Sequence, residues 1–133
     1  MKELNIYFRS YNELTKHELY DIYCLRQEVF IVEQNCVYQD IDKKDHHSYH
    51  LMAYDNQILV AYLRIVHPGI SYSEASIGRV LTKMSHRRRG ISKKIITNVE
   101  SSKGIFIKIN NFLLVNLSIS IPDINNVITD SNE

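Results

Sequence analysis

The amino-terminal part of the chain changes from an alternating to a helical pattern of apolar residues. Leu4, Ile6 and Phe8 alternate with more polar neighbours, which predicts a first strand with one buried face. Thr15 and Glu18 then have the spacing of a capping box, and apolar residues recur along one side of the segment that follows. We therefore expect a helix over Lys16–Val29.

Three further strands are predicted before residue 83. The segments Tyr49–Tyr54 and Ile58–His67 are rich in β-branched and aliphatic residues, and the turn-forming trio Asp55-Asn56-Gln57 joins them. This arrangement favours an antiparallel hairpin. Pro68-Gly69 ends the second strand, and the pattern resumes as a third strand over Glu74–Thr82.

After Thr82 a basic loop leads into a second helix. Ile91, Ile95 and Val99 lie four residues apart, which places them on one helical face. The helix should end near Ser102, with Gly104 as its stop. The order strand, helix, three strands, helix predicts an α+β (mixed α/β) fold, with a central, mostly antiparallel sheet flanked by helices.

The basic loop is a candidate anion site. A helix start leaves about four backbone N–H groups without intrahelical partners and carries the positive end of the helix dipole. Gly90 lets a ligand approach the backbone closely. These features predict a polyphosphate ligand, although charge alone leaves open a solvated basic helix start or contact with nucleic acid. The cationic side chains of the loop are His86, Arg87, Arg88, Arg89, Lys93 and Lys94.

Composition narrows the class of protein. A chain of 133 residues that is 44% hydrophobic is long enough for one domain with a packed core. The 16 Lys and Arg against 15 Asp and Glu give a formal net charge of +1, which disfavours nucleic acid and anionic membranes as partners. Cys24 and Cys36 are too few for a disulfide scaffold, and no signal peptide or membrane span is recognisable, so we expect a cytoplasmic protein.

A group of acidic residues and histidines invites comparison with metal sites. Asp40, Asp42 and Asp45 precede His46 and His47, but they lack the full calcium-loop pattern and the helical histidine pair of zinc enzymes. We therefore expect these aspartates to form local turn hydrogen bonds and to bind no metal.

Several longer motifs resemble the ElaA branch of the GNAT acetyltransferases. The resemblance covers roughly the first hundred residues, and a long ungapped run is more specific than one short motif. It implies an acyl-CoA N-acyltransferase fold and transfer of an acetyl group from acetyl-CoA to an amine of a small molecule or peptide. The matching segments are Tyr23–Asp45, His50-Leu51, Ala61–Ile65 and Ile77-Gly78-Arg79-Val80.

The resemblance also implies where acetyl-CoA binds. In the superfamily the strand before the loop lies along the pantetheine arm, and the loop holds the pyrophosphate in a pattern written [QR]-x-x-G-x-[GA]. Ser92 stands where the family usually has Gly or Ala, and we expect its hydroxymethyl group to crowd the phosphates or to hydrogen-bond to them, which weakens binding. The implied acetyl-CoA residues are Val80, Leu81, Thr82, Arg87, Arg88, Arg89, Gly90, Ile91, Ser92 and Lys93.

A general base must remove a proton from the amine before the amine attacks the thioester. His50, Glu33 and Glu74 are the candidates. Two structural interpretations compete with these roles: Arg26 and Glu33 form a buried ion pair, and His50 is a hydrogen-bonded strand residue.

Residues 105–133 depart from the family. We assign residues 1–104 to the acetyltransferase core and 105–133 to an atypical tail, for which a truncated or frame-shifted gene copy is our hypothesis. Alternating apolar residues over Leu113–Ile121 predict one further strand that fills the slot beside the Ile77–Thr82 strand. All nine tyrosines precede Ser73, so the tyrosine that commonly protonates the departing thiolate in these enzymes has no counterpart in the tail.

The altered tail keeps a second function open. A degenerate, non-catalytic CoA-binding module is the alternative to an active enzyme, and a basic nucleic-acid-binding protein is the third reading. We expect acetyl-CoA and an amine acceptor as partners, neither nucleic acid nor membrane, and leave a homodimer open.

Overall fold

In the computed structural model, residues 3–103 and 107–109 are described, and they form one sheet and two α-helices. Short 3₁₀ turns at Tyr11–Glu13, Asp45–His47 and Met84–His86 connect these elements. None of the helices within these ranges is long and apolar enough to cross a membrane. The elements are β1 (Asn5–Ser10), α1 (Lys16–Arg26), β2 (Ser48–Asp55), β3 (Ile58–Val66), β4 (Ala75–Thr82), α2 (Ile91–Lys103) and β5 (Ile107–Ile109).

The strands are ordered β1-β2-β3-β4-β5 in the sheet. The pairs β1–β2, β2–β3 and β3–β4 are antiparallel. β5 is parallel to β4 and pairs with it over Ala75–Ile77. The predicted α+β fold with a mostly antiparallel sheet is therefore confirmed. The strand predicted over Leu113–Ile121 and the stop at Gly104 lie outside the described residues, as does most of the 105–133 tail.

The first helix begins as predicted and ends differently. The Thr15 hydroxyl accepts a hydrogen bond from the Glu18 amide (3.1 Å), and the Glu18 carboxylate accepts one from the Thr15 amide (2.9 Å). The α-helix ends at Arg26 and continues as a π-helical segment over Gln27–Glu33, so the predicted end at Val29 is wrong. The wider π turn allows Arg26, Val29 and Phe30 all to be buried.

Two hydrophobic cores sandwich the sheet, one under each helix. Successive strand residues point to opposite faces, so neighbours such as Tyr62 and Leu63 belong to different cores. The face under α2 contains Leu51, Leu63, Ile65, Ile77 and Val80 against Ile91, Ile95, Ile96 and Val99, which confirms the predicted helical face. The face under α1 contains Met52, Tyr54, Tyr62 and Leu81 against Ile22, Leu25, Val29 and Phe30.

A β-bulge interrupts β4 beside the middle of β3. The pairing register shifts between Tyr62 and Arg64, which face Leu81 and Gly78 respectively. Arg79 adopts a positive φ of 51°, a conformation uncommon for a residue with a side chain. The pairing of β5 with β4 ends at Ile77, so in the described part of the chain the outer edge of β4 is unpaired beyond the bulge.

Candidate functional site

The loop after β4 exposes the start of α2. The first helical hydrogen bond runs from the Lys94 amide to the Gly90 carbonyl (3.1 Å), so the amides of Ile91 and Ser92 precede it and have no intrahelical acceptor. Gly90 has a φ of 72°, and a Cβ built on it would meet no atom within 4 Å. The backbone at this helix start is therefore open to a ligand.

Four cations of the loop divide into two groups. Arg88, Arg89 and Lys93 have exposed side chains beside the helix start. Arg87 is held from both sides: its Nη1 and Nη2 donate to the two carboxylate oxygens of Glu33, the second at 2.6 Å, and its Nε donates to the Thr82 carbonyl at 2.9 Å. Arg87 thus fixes the loop through its side chain, whereas Arg88 and Arg89 present charge at its surface.

The last residues of β4 offer backbone groups along the edge that is unpaired among residues 3–103 and 107–109. The Lys83 amide donates to the Val60 carbonyl (2.7 Å), so the alternation of an antiparallel ladder turns the backbone groups of Thr82 and Val80 away from β3. The side chains of Val80, Leu81 and Thr82 are all buried. These residues can meet a ligand only through their main chain.

Ser92 does not face the exposed helix start. Its hydroxyl lies 2.7 Å from the Thr82 hydroxyl, and both residues are 2% exposed. The side chain points inward and ties α2 to the end of β4, which argues against the expected contact of its hydroxyl with phosphates.

We expect Ser92→Ala to lower stability and to leave binding at the loop unchanged. The change leaves the buried Thr82 hydroxyl without this partner, which costs about 1–3 kcal/mol of unfolding free energy. Urea unfolding measures the loss, and a calorimetric titration with acetyl-CoA should give a Kd within about twofold of the unmodified protein. A markedly altered Kd would show that the serine acts on the ligand after all.

Three arginines and three aspartates form a buried network, here called the Arg–Asp cluster: Arg26, Arg64, Arg79, Asp40, Asp42 and Asp45. Arg26 is completely buried and donates to Asp40 at 2.8 Å and to Asp45 at 2.7 Å. The expected Arg26–Glu33 pair is therefore wrong, since each residue has a different partner. The cluster joins the segment after the π-helix to β3 and to the bulge of β4.

Other contacts within the Arg–Asp cluster involve Asp42 and Arg79. Arg64 binds Asp42 with two hydrogen bonds of 2.8 and 2.6 Å, and Arg79 binds Asp40 at 2.8 Å. Burial opposes ionisation of Asp42, but the hydrogen bonds and charge of Arg64 outweigh it and hold the pKa of Asp42 below its usual value. Burial and the neighbouring Asp40 raise the pKa of Tyr38 to about 12, and the Tyr38 hydroxyl donates to Asp40.

Asp42 makes the turn hydrogen bond predicted for these aspartates, accepting from the Lys44 amide at 3.2 Å. The main partners of the three aspartates are nevertheless arginines. In the part of the chain that the structure describes, no group of His, Cys, Asp and Glu side chains is arranged to hold a metal ion.

His50 is a buried member of the sheet. Its Nε2 lies 3.0 Å from the Asp45 carbonyl and its Nδ1 lies 2.7 Å from the Tyr62 hydroxyl. A carbonyl can only accept, so Nε2 carries the proton and Nδ1 accepts from Tyr62. Burial lowers the pKa of His50, which favours the neutral ring. Both nitrogens are occupied and the residue is fully buried, so the interpretation as a hydrogen-bonded strand residue is confirmed. This burial argues against the general-base role of His50, which stays a prediction.

The two candidate glutamates occupy different surroundings. The Glu33 carboxylate is bound by Arg87 on both oxygens, which makes it a partner of the loop and not a free base. Glu74 is exposed and precedes the first residue of β4. Its catalytic role stays a prediction.

A small polar cavity, here called the bulge cavity, is lined by three members of the Arg–Asp cluster and by residues that precede and follow Glu74 in sequence. Its volume is about 190 Å³. Arg64 pairs with Gly78 and Ser76 pairs with Val66, two residues further along, and both side chains lie on the face of the sheet that carries α1. The polar side chains that line it are Asp42, Lys44, Arg64, Ser71, Tyr72, Ser76 and Arg79.

The model of the acetyltransferase (GNAT) family matches residues 8–103, which is most of the chain. The chain belongs to the GNAT family. This match spans β1 to α2 and includes the bulge and the basic loop.

Individual relatives support the resemblance to the ElaA branch. One relative, the UPF0039 protein of Synechocystis sp., is 42% identical over 95 residues, which cover 71% of this chain and 62% of that protein. The chain therefore spans less than two thirds of that relative's length. Escherichia coli ElaA is 36% identical over 89 residues.

Two solved structures share the fold. The crystal structure of an acyl-CoA N-acyltransferase from Pseudomonas aeruginosa has a TM-score of 0.71 and 34% identity, covering 75% of this chain and 70% of that one. The crystal structure of Escherichia coli ElaA has a TM-score of 0.71 and 31% identity, with coverages of 75% and 69%. The fold and branch expected from the sequence are thus confirmed.

Sequence reasoning missed the positioning role of Arg87 and the whole of the Arg–Asp cluster. The sequence identifies these aspartates and arginines, but which of them pair depends on the path of residues 34–47 across the sheet. The one available signal was the set of charged residues within otherwise apolar strands, such as Arg64 in β3, because a charge at such a position must be paired.

Proposed function

We propose that the protein is an acetyl-CoA-dependent N-acetyltransferase that transfers an acetyl group to the amine of a small molecule or peptide. The observation that carries the proposal is the open backbone at Gly90, where exposed cations surround the start of α2. Helix-start amides and nearby arginines bind the diphosphate of a ligand such as acetyl-CoA. Membership of the GNAT family supports the same donor.

In this proposal the donor extends from the loop along the open edge of β4. The exposed loop residues Arg88, Arg89 and Lys93 hold the diphosphate together with the amides near Gly90. The main chain of Val80 and Thr82 faces the edge on which the amide groups of the pantetheine arm would pair. Arg87 contributes by fixing the loop to Glu33 and Thr82.

The proposed reaction is a direct attack in a ternary complex. The lone pair of a neutral amine forms a bond to the thioester carbonyl carbon, the C–S bond breaks, and the CoA thiolate takes up a proton. The proton lost by the amine passes to a base. Of the three predicted bases, Glu74 is the one with an exposed carboxylate, and it lies between Tyr72 and Ser76 of the bulge cavity in sequence. We propose Glu74 for this role.

A calorimetric titration followed by a thiol-release assay tests the proposal. We expect acetyl-CoA to bind with one site per chain, and thiol release to depend on an added amine. Acetyl-pantetheine lacks the diphosphate and should bind at least about tenfold more weakly, because the loop contributes through that group.

The outcomes separate the candidate functions. Binding with turnover supports the acetyltransferase, and binding without turnover for any amine supports the degenerate CoA-binding module. Equal affinity for acetyl-CoA and acetyl-pantetheine would remove the basic loop from the site. Absence of acetyl-CoA binding would overturn both functions.

A further inference from the structure

The bulge cavity carries more positive than negative charge once its ion pairs are counted. The Arg–Asp cluster is balanced, because its three arginines face three aspartates. Lys44 also lines the cavity, and among the described residues it has no ion-pair partner. Lys44 therefore adds an uncompensated positive charge to this wall.

Arg79 adds free hydrogen-bond donors to the same cavity. Its Nε binds Asp40, and its Nη2 binds the Asp40 carbonyl and Asp42. Its Nη1 has no partner within the described ranges, and its side chain is 14% exposed. Because a guanidinium presents two N–H groups on each terminal nitrogen, Arg79 can donate from Nη1 without giving up its aspartates.

The carboxylate on the cavity wall is unavailable to a cationic ligand. Both oxygens of Asp42 accept from Arg64, and one of them also accepts from Arg79. A polyamine bound in the cavity would therefore be repelled by the ammonium group of Lys44 and would find no unoccupied carboxylate to pair with. An anionic group meets the opposite situation, with a lysine ammonium and a spare guanidinium nitrogen as donors.

We propose that the bulge cavity binds the carboxylate of the acceptor, so that the substrates are small amino acids or similar amines that carry a carboxylate. This proposal rests on the proposed acetyltransferase function. Lys44 and Arg79 are the carboxylate-binding residues. The volume of about 190 Å³ is below the ~300–1,000 Å³ of sites for drug-sized ligands, which matches an acceptor of few heavy atoms.

Product analogues test the proposal without requiring catalysis. The probes are N-acetylated amino acids with one, two or three carbons between nitrogen and carboxylate, each paired with its carboxamide, and titrated by calorimetry. We expect at least one carboxylate to bind about tenfold or more tightly than its carboxamide. Lys44→Gln should weaken that binding about tenfold, whereas Lys43→Gln, at an exposed neighbouring position outside the cavity, should not.

The outcomes distinguish this proposal from the proposed function. Equal binding of carboxylates and carboxamides, no binding of either, or insensitivity to Lys44→Gln overturns the carboxylate site. A separate titration measures the affinity of the same two variants for acetyl-CoA. Lys44→Gln and Lys43→Gln should both keep the Kd of the unmodified protein. If the protein binds acetyl-CoA but no carboxylate, the acetyltransferase function stands and the carboxylate-bearing acceptors are excluded. If it binds carboxylates but not acetyl-CoA, the proposed acetyl-CoA donor is overturned and the carboxylate site stands.

Discussion

Gly90→Glu should raise the Kd for acetyl-CoA about 100-fold. The position combines an open backbone with a φ of 72°, at the helix start proposed to hold the diphosphate. A carboxylate there repels the phosphates with a few kcal/mol at short range, and each 1.4 kcal/mol corresponds to about tenfold in affinity. Isothermal titration calorimetry at low ionic strength gives the Kd directly.

The chain offers a matched control for this change. Gly69 also has a positive φ, 87°, and a Cβ built on it likewise meets no atom within 4 Å. Gly69→Glu therefore introduces the same side chain and similar backbone strain in the loop between β3 and β4, away from the helix start. It should leave the Kd unchanged. Two variants with equal affinity for acetyl-CoA would refute the assignment of the diphosphate to this loop.

Asp45→Asn should lower the free energy of unfolding by about 3–5 kcal/mol. Asp45 is 1% exposed, and one of its oxygens accepts from both Arg26 and Arg64. The substitution keeps the shape of the side chain but removes its charge, which leaves two buried guanidinium groups with one carboxylate fewer. Breaking a buried pair on one side is costly because an uncompensated charge remains in the interior.

Urea unfolding measures this effect, and Glu28→Gln serves as its control. Glu28 and Lys83 form a surface ion pair with side chains 51% and 32% exposed. Exposed pairs contribute about 0–1 kcal/mol, so this control should shift the unfolding midpoint little. If Asp45→Asn behaved like Glu28→Gln, the cluster would not hold the segment after the π-helix against the sheet.

The features that could be predicted from the sequence are those fixed by short-range contacts. The start of α1 depends on Thr15 and Glu18, which are three residues apart, and the buried face of α2 follows from a four-residue spacing. The position of the basic loop between β4 and α2 followed from a change of period. Its assignment to acetyl-CoA came from the family resemblance.

The features that could not be predicted depend on residues far apart in the chain. Arg87 and Glu33 are separated by 54 residues, and Arg79 and Asp40 by 39. Charge patterning identifies such residues without selecting partners, which is why Glu33 was assigned to Arg26. Likewise Ser92 was judged from the motif alone, whereas its environment is decided by Thr82 across the helix–sheet contact.

Because of the extra residue in β4, the side chains that follow the bulge point to the opposite face of the sheet from the one that regular alternation would give them. Ile77 and Val80, three apart, both face α2, whereas regular alternation would place them on opposite faces. Losing a single codon at the bulge would restore strict alternation and leave Ile77 and Val80 on the same face, but it would remove Arg79 or the positive-φ turn that directs its side chain to Asp40. Natural length variation among relatives should therefore concentrate in the loop over residues 67–74 and spare residues 78–80.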